Sequence, residues 1–238
     1  DAEEATRQRG EHAPESWAAF SDASRQDPSV GNRLVNSRAF DIEYDLQTVG
    51  PWGVARVELW GTRDGGRTWN SFGVDPDNRS PIRVVTPGSG AFGFRIVVDG
   101  ANSPPSTPPQ PGDRPEMYVS VDLTPPDAQL LSVGQATVDG VERLLIRWSA
   151  ADENLERLPI ALLYSSSAEG PWSAIATGLE NSGSYRWRLE RHLPNRFYVR
   201  LEARDRAGNV AAYQSASPIV LDRPPPRGRL RDVRAAPK

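Results

Sequence analysis

Apolar and polar residues alternate one by one through much of this chain. Phe40, Ile42, Tyr44 and Leu46 fall on one side of such a run, with Asp41, Glu43 and Asp45 between them. A strand sends successive side chains to opposite faces, so this period of two predicts a half-buried strand. Ala55, Val57 and Leu59 predict a second strand, and Ile82 with Val84 a short third. Phe92, Phe94, Ile96 and Val98, alternating with Gly93, Arg95, Val97 and Asp99, give the cleanest strand of the first half. Val119, Val121 and Leu123 close it. Gly, Pro, Asp and Asn concentrate at 50–53, 75–78 and 87–90, which read as turns. Residues 102–116 are rich in proline, which has no N–H to donate to a ladder, so they are expected to form a long loop between the last two strands of this half.

The second half repeats the first. Leu144, Ile146 and Trp148 lie 104 positions after Phe40, Ile42 and Tyr44, and Leu163 and Tyr164 lie 104 after Leu59 and Trp60. Phe197, Val199, Leu201 and Ala203 lie 105 after Phe92, Phe94, Ile96 and Val98. Pro125-Pro126 follows the first copy and Pro224-Pro225-Pro226 the second. A unit of about 100 residues with some seven short strands and frequent turns matches a β-sandwich. The expected division is a polar arm over 1–36, one sandwich over 37–125, a second over 126–223 and a basic tail over 224–238. Within the arm, Glu15 to Gln26 predicts a short helix burying Trp17 and Phe20.

Between two apolar runs of the first unit stands Thr62-Arg63-Asp64-Gly65-Gly66-Arg67-Thr68-Trp69. Asp-Gly-Gly in that setting signals a hairpin, because glycine takes positive φ without strain. Asp64 is expected to accept amide hydrogen bonds round the turn, with Gly66, Thr68 and Trp69 completing the motif. The stretch resembles the Asp-box of sialidases and other β-propellers, and that resemblance implies a folding device, not a catalytic one. In the second unit, Leu193-Pro194-Asn195-Arg196-Phe197-Tyr198-Val199-Arg200-Leu201-Glu202-Ala203 resembles the late strand of fibronectin type III domains. Asp205-Arg206-Ala207-Gly208-Asn209 is similar to the last hairpin of bacterial Ig-like repeats, so Asp205, Gly208 and Asn209 are expected to shape a turn. The chain looks like tandem Ig-like modules in large exported proteins of planctomycete-type bacteria. The resemblance implies an all-β fold of two consecutive Ig/fibronectin-III-like sandwiches, joined near Pro125-Pro126.

Composition narrows the chemistry. The 238 residues carry a net charge of −3, so no global basic field points to nucleic acid. There is no Cys, which removes disulfides, thiol catalysis and thiolate metal sites. No run of about 18 apolar residues is available to span a membrane. Lys238 is the only lysine against many arginines, a bias that suggests GC-rich bacterial coding. The chain is expected to be a trimmed part of a periplasmic or extracellular protein whose signal peptide lies outside it. His12 and His192 share no triad spacing, and no nucleophile elbow, phosphate loop or dinucleotide fingerprint occurs. An enzyme is therefore not expected.

Two minor chemistries stay open. Asp75, Asp77 and Asn78 cluster in one turn, and Asp152 with Glu153 in the equivalent region of the second unit; hard cations such as calcium take several oxygens from one loop. The competing reading is that Asp and Asn simply form turns there. Trp52, Trp60 and Trp172 are candidates for an exposed sugar platform, whereas Trp69, Trp148 and Trp187 read as core. The tail cations, Arg223 to Lys238, read as a solvated linker or as a patch for an anionic polymer or membrane. The function expected is a non-catalytic spacer or interaction module, with a protein or cell-surface glycan as partner. The alternatives are a carbohydrate-binding module using exposed Trp, or an accessory domain of a larger enzyme.

Overall fold

A computed structural model describes residues 32–47, 51–190, 193–223, 229, 231 and 232. The expected helix around Trp17, both histidines and most of the basic tail lie outside these residues. The described residues form strands, turns and irregular segments, with no helix among them. The chain divides into two compact units. One takes the chain up to Thr124 with Arg206–Asn209, the other Pro125–Asp205 and the chain from Val210.

The first unit contains β1 (Asn32–Val35), β2 (Ala39–Ile42), β3 (Val54–Thr62), β4 (Asn70–Val74), β5 (Ile82–Val85), β6 (Gly90–Gly100) and β7 (Met117–Val121). One sheet runs β1-β7-β6-β3-β4 and the other pairs β2 with β5. All pairings are antiparallel except β1 on β7, which is parallel with Asn32 opposite Tyr118. Strand β1 lies in the stretch expected to be a polar arm. Its four residues offer too little alternation to read, and the partner that selects them comes from 86 residues later. Between the sheets Ile42, Leu59, Ile82, Val84, Phe92, Phe94, Val119 and Val121 form the core. Phe72 meets Phe94 edge-on at 5.3 Å between centroids, a preferred aromatic geometry.

The second unit contains β8 (Asp127–Val138), β9 (Val141–Ala151), β10 (Leu155–Ser165), β11 (Ser173–Leu179), β12 (Ser184–Arg188), β13 (Arg196–Asp205), β14 (Val210–Gln214) and β15 (Ile219–Val220). Three strands, β8-β9-β12, face a sheet ordered β11-β10-β13-β14, with β15 also on β13. Leu144, Ile146, Trp148, Ile160, Leu162, Phe197, Val199 and Leu201 fill the space between them. The Trp187, Phe197 and Tyr164 rings pack within 6.0 Å of one another. The Trp148 Nε1–H donates to Asn181 Oδ1 at 3.1 Å, and Asn181 Nδ2 donates to the Ala150 carbonyl, so the indole's polar edge is satisfied where it leaves the core.

The last strand is interrupted. After Gln214 the chain leaves the ladder and returns at Ile219. Across the gap the Ser215 N–H donates to the Val199 carbonyl at 2.9 Å, and the Val199 N–H donates to Ser215 Oγ at 3.3 Å. The hydroxyl thus stands where a strand carbonyl would.

The positions related by 104 and 105 fall on equivalent strands: Phe40 and Ile42 in β2 with Leu144 and Ile146 in β9, Leu59 in β3 with Leu163 in β10, and Phe92 in β6 with Phe197 in β13. Both units are β-sandwiches, two facing sheets over an alternating core.

Candidate functional site

The hairpin between β3 and β4 is built by its polar side chains. Thr68 donates to Asp64 twice, from its N–H to Oδ1 at 2.9 Å and from its hydroxyl to Oδ2 at 2.6 Å. The Thr62 hydroxyl donates to Asp64 Oδ1 at 2.8 Å and accepts the Gly66 N–H at 2.9 Å. Gly66 has φ +95°, and a Cβ there would overlap the Asp113 carbonyl oxygen. The Gly66 carbonyl accepts the Gly112 N–H at 2.8 Å, which ties the hairpin to the proline-rich loop. Trp69 folds back over the turn, its Cζ2 within van der Waals reach of the Gly66 position. It is half-buried and stands outside the core cluster, in contrast to the core role expected for it. The tight turn directs the ring onto the hairpin rather than between the sheets.

Burial alone would raise the Asp64 carboxyl. The hydrogen bonds from Thr68, Thr62 and the Arg67 N–H outweigh it and hold the pKa at about 2, below the ordinary 3.8. A carboxyl depressed in the folded state adds stability above its unfolded pKa, and that stability disappears as pH falls through the folded value. The first unit is therefore expected to weaken as pH drops from about 4 towards 2. Asp64→Asn should flatten that part of the curve, read by hydrogen exchange of β3 and β4 peptides against pH.

The second polar centre is the turn after β4. Asp75 is buried, and its Oδ2 accepts the Tyr44 hydroxyl at 2.6 Å. Burial pushes the Asp75 carboxyl up, yet the Tyr44 O–H and the Asp77 N–H hold it below the usual carboxylate range. Tyr44 is pushed up, first by burial and then by the carboxylate it bonds. Asp77 Oδ1 accepts the Arg79 N–H, and Asn78 Oδ1 accepts the Val57 N–H at 2.9 Å. In the second unit Asp152 Oδ1 accepts the Asn154 N–H at 2.6 Å, and Glu153 is exposed. The five residues considered for calcium thus fall into two turns, one in each unit. Asp205 is fully buried at the end of β13, and Gly208 has φ +96° in the hairpin that leads through Asn209 to β14.

Of the three tryptophans expected at the surface, only Trp52 is exposed there, at 71%, in the turn before β3. Trp60 points away from the core, as its phase predicts, but is half-buried, with Nε1 shielded and unpartnered. The 102–116 loop is close by. It crosses the outward face beside Trp60: Pro115 lies over Gly93, and Asp113 and Glu116 pair with Arg95, the cross-strand neighbour of Trp60. Ser106 ties the loop further, its N–H to Asp99 Oδ1 at 2.7 Å and its hydroxyl to the Val98 carbonyl at 2.6 Å. Trp172 is half-buried beneath the Arg200 guanidinium, 5.5 Å from its ring centroid. At the other end of the second unit Arg223 donates to the Leu193 and Glu190 carbonyls, which makes it a structural clamp rather than a free tail cation. No helix of the described residues is long and apolar enough to cross a membrane.

No protein-family model matches this chain, and no curated protein matches it. Among solved structures it is similar to the crystal structure of chicken CNTN1 FN1-FN3 domains, at 13% identity and a TM-score of 0.41, over 78% of this chain. The chain spans 65% of the length of that structure. The class defined by the strand order is a pair of β-sandwiches whose loop polar groups serve the loops.

Proposed function

We propose that this chain is a non-catalytic structural or interaction module, with the exported, periplasmic or extracellular location and the bacterial origin that its resemblances suggest. The carrying observation is where the turn carboxylates go. Asp64, Asp77 and Asp152 engage hydroxyls and backbone N–H groups of their own turns, and Asp75 accepts the Asp77 N–H of its turn and the Tyr44 hydroxyl from outside it, so these four acids are used to hold loops. The same engagement supports reading these acids as turn formers rather than calcium ligands, and supports reading Thr62–Trp69 as an Asp-box-like folding device. The short Pro-Pro and Pro-Pro-Pro segments suit modules held at fixed spacing.

A second reading, carbohydrate binding, is favoured by Trp52 alone, whose exposed ring offers an apolar face for a pyranose. A glycan array read with intrinsic fluorescence of the full chain tests both. Sugar-dependent quenching lost in Trp52→Ala and kept in Trp60→Ala places binding at the turn. Silence across neutral glycans leaves the spacer reading. Turnover of any glycan by the purified chain overturns both.

A further inference from the structure

The outward face of the β8-β9-β12 sheet carries a group of arginines that the fold does not use. Leu144, Ile146 and Trp148 of β9 point into the core, so Arg143, Leu145 and Arg147 point out. On β12, Tyr185 and Trp187 pack on the core, so Ser184, Arg186 and Arg188 point out. Register sets Arg188 directly opposite Arg143, and Arg186 opposite Leu145, diagonal to both Arg143 and Arg147. Directly opposed residues stand about 5 Å apart at Cβ and diagonal ones about 7–8 Å, and like charges so placed destabilise a sheet.

Several arginines elsewhere among the described residues have acidic partners. Arg83 pairs with Asp41, Arg95 with Asp113 and Glu116, Arg56 with Glu58, and Arg200 with Glu202. Among the described residues, the side chains of Arg143, Arg147, Arg186 and Arg188 make no ion pair or hydrogen bond. Arg143 Nε is shielded from water with no acceptor, a donor with an unmet bond. The positions of β8 in register with this patch are Ser132, Gly134, Ala136 and Val138, so β8 sets neither a carboxylate nor a bulky side chain against it. Arg143, Arg147 and Arg186 border a hollow of about 410 Å³ floored by Ala136 and Leu145, with Ser184 at its rim.

We propose that this face binds an anionic polysaccharide, its sulfate or carboxylate groups held by the guanidinium forks of Arg143, Arg147, Arg186 and Arg188. The planar fork matches such groups with two parallel hydrogen bonds. The small residues and Leu145 offer the flat, weakly apolar ground that the C–H faces of sugar rings lie against. A single-stranded nucleic acid would want an aromatic platform, and none of these outward positions is aromatic. An acidic peptide docking by strand addition uses a sheet edge and side-chain pockets, whereas these charges stand on a face. The inference rests on the reading of the chain as an interaction module and names the partner of its second unit.

The test uses the full chain with dextran sulfate and alginate oligomers, titrated calorimetrically at two salt concentrations. Arg186→Gln/Arg188→Gln should weaken binding at least tenfold and flatten its salt dependence, and adding Arg147→Gln should abolish it. Because these three side chains are exposed and mutually repulsive, the unfolding midpoint should stay level or rise. Undiminished affinity in the triple variant overturns the site. Tighter binding of polyglutamate or single-stranded DNA than of either polysaccharide overturns the ligand class. No binding by the wild-type chain overturns the proposal as a whole. Loss with Trp52→Ala but not with the arginine variants overturns it too, while leaving the interaction-module reading in place.

Discussion

Phe197→Ala is expected to cost the second sandwich about 3–5 kcal/mol, the range for removing a fully enclosed aromatic ring. Phe197 is 0% exposed, sits on the central strand of its sheet, and touches Trp187 and Tyr164 edge-on at 5.7 and 6.0 Å. Its removal takes away burial and both ring contacts, and two large neighbours held by β10 and β12 cannot collapse into the gap without bending their strands. Domains of this size hold about 5–15 kcal/mol in all, so the variant should sit near the edge of folding. Hydrogen exchange resolved to β9, β10 and β13 peptides should show protection falling by several hundredfold or more. Phe197→Leu should recover most of it, because volume is largely kept. Protection in the alanine variant within tenfold of wild type would show that the core around Trp187 repacks freely.

Gly66→Ala should be the most damaging of the small changes in the first unit, at about 2–3 kcal/mol. Two effects combine. The residue sits at φ +95°, which any Cβ resists, and the new methyl meets a backbone carbonyl that cannot swing aside as a flexible side chain would. Relief requires moving the loop at Asp113 and breaking the Gly112 to Gly66 hydrogen bond. Gly65 provides the internal comparison. It has φ +73° with open space around it, so Gly65→Ala should cost only about 1 kcal/mol, the conformational part alone. Denaturant midpoints of the two variants separate strain from crowding. Equal shifts would mean that the loop yields without resistance.

The core strands were legible because each buries one face only. Phe92 to Val98 and Phe197 to Ala203 carry their side in their phase, and that phase repeats at a constant offset across both units. What was not legible depended on partners far along the chain. Strand β1 is called into being by β7, and nothing in Asn32–Val35 announces it. Trp60 is out of phase with Val57 and Leu59, yet it is half-buried, and a proline-rich loop more than forty residues on, whose path no local pattern encodes, runs over its cross-strand neighbour Arg95. Trp172 likewise lost its exposure to Arg200 from another strand. The turn acids were visible as a cluster, but only their hydrogen-bond partners show that they hold loops. The arginine face was half legible. Arg143 and Arg147 alternate with core residues, as do Arg186 and Arg188, but the register that sets one pair against the other belongs to the sheet.

The broken outer strand of the second sandwich has a consequence for how such modules live at close quarters. A long, straight, unpaired border of backbone donors and acceptors invites another chain to zip on, and tandem modules of similar sequence are the most dangerous neighbours. Here the border is cut after Gln214, Ser215 turns its hydroxyl inward to finish the bond that a neighbour would have found, and Pro218 withholds an N–H before Ile219 resumes. The gap leaves two short pieces instead of one template, which lets copies crowd together without fusing into aggregates.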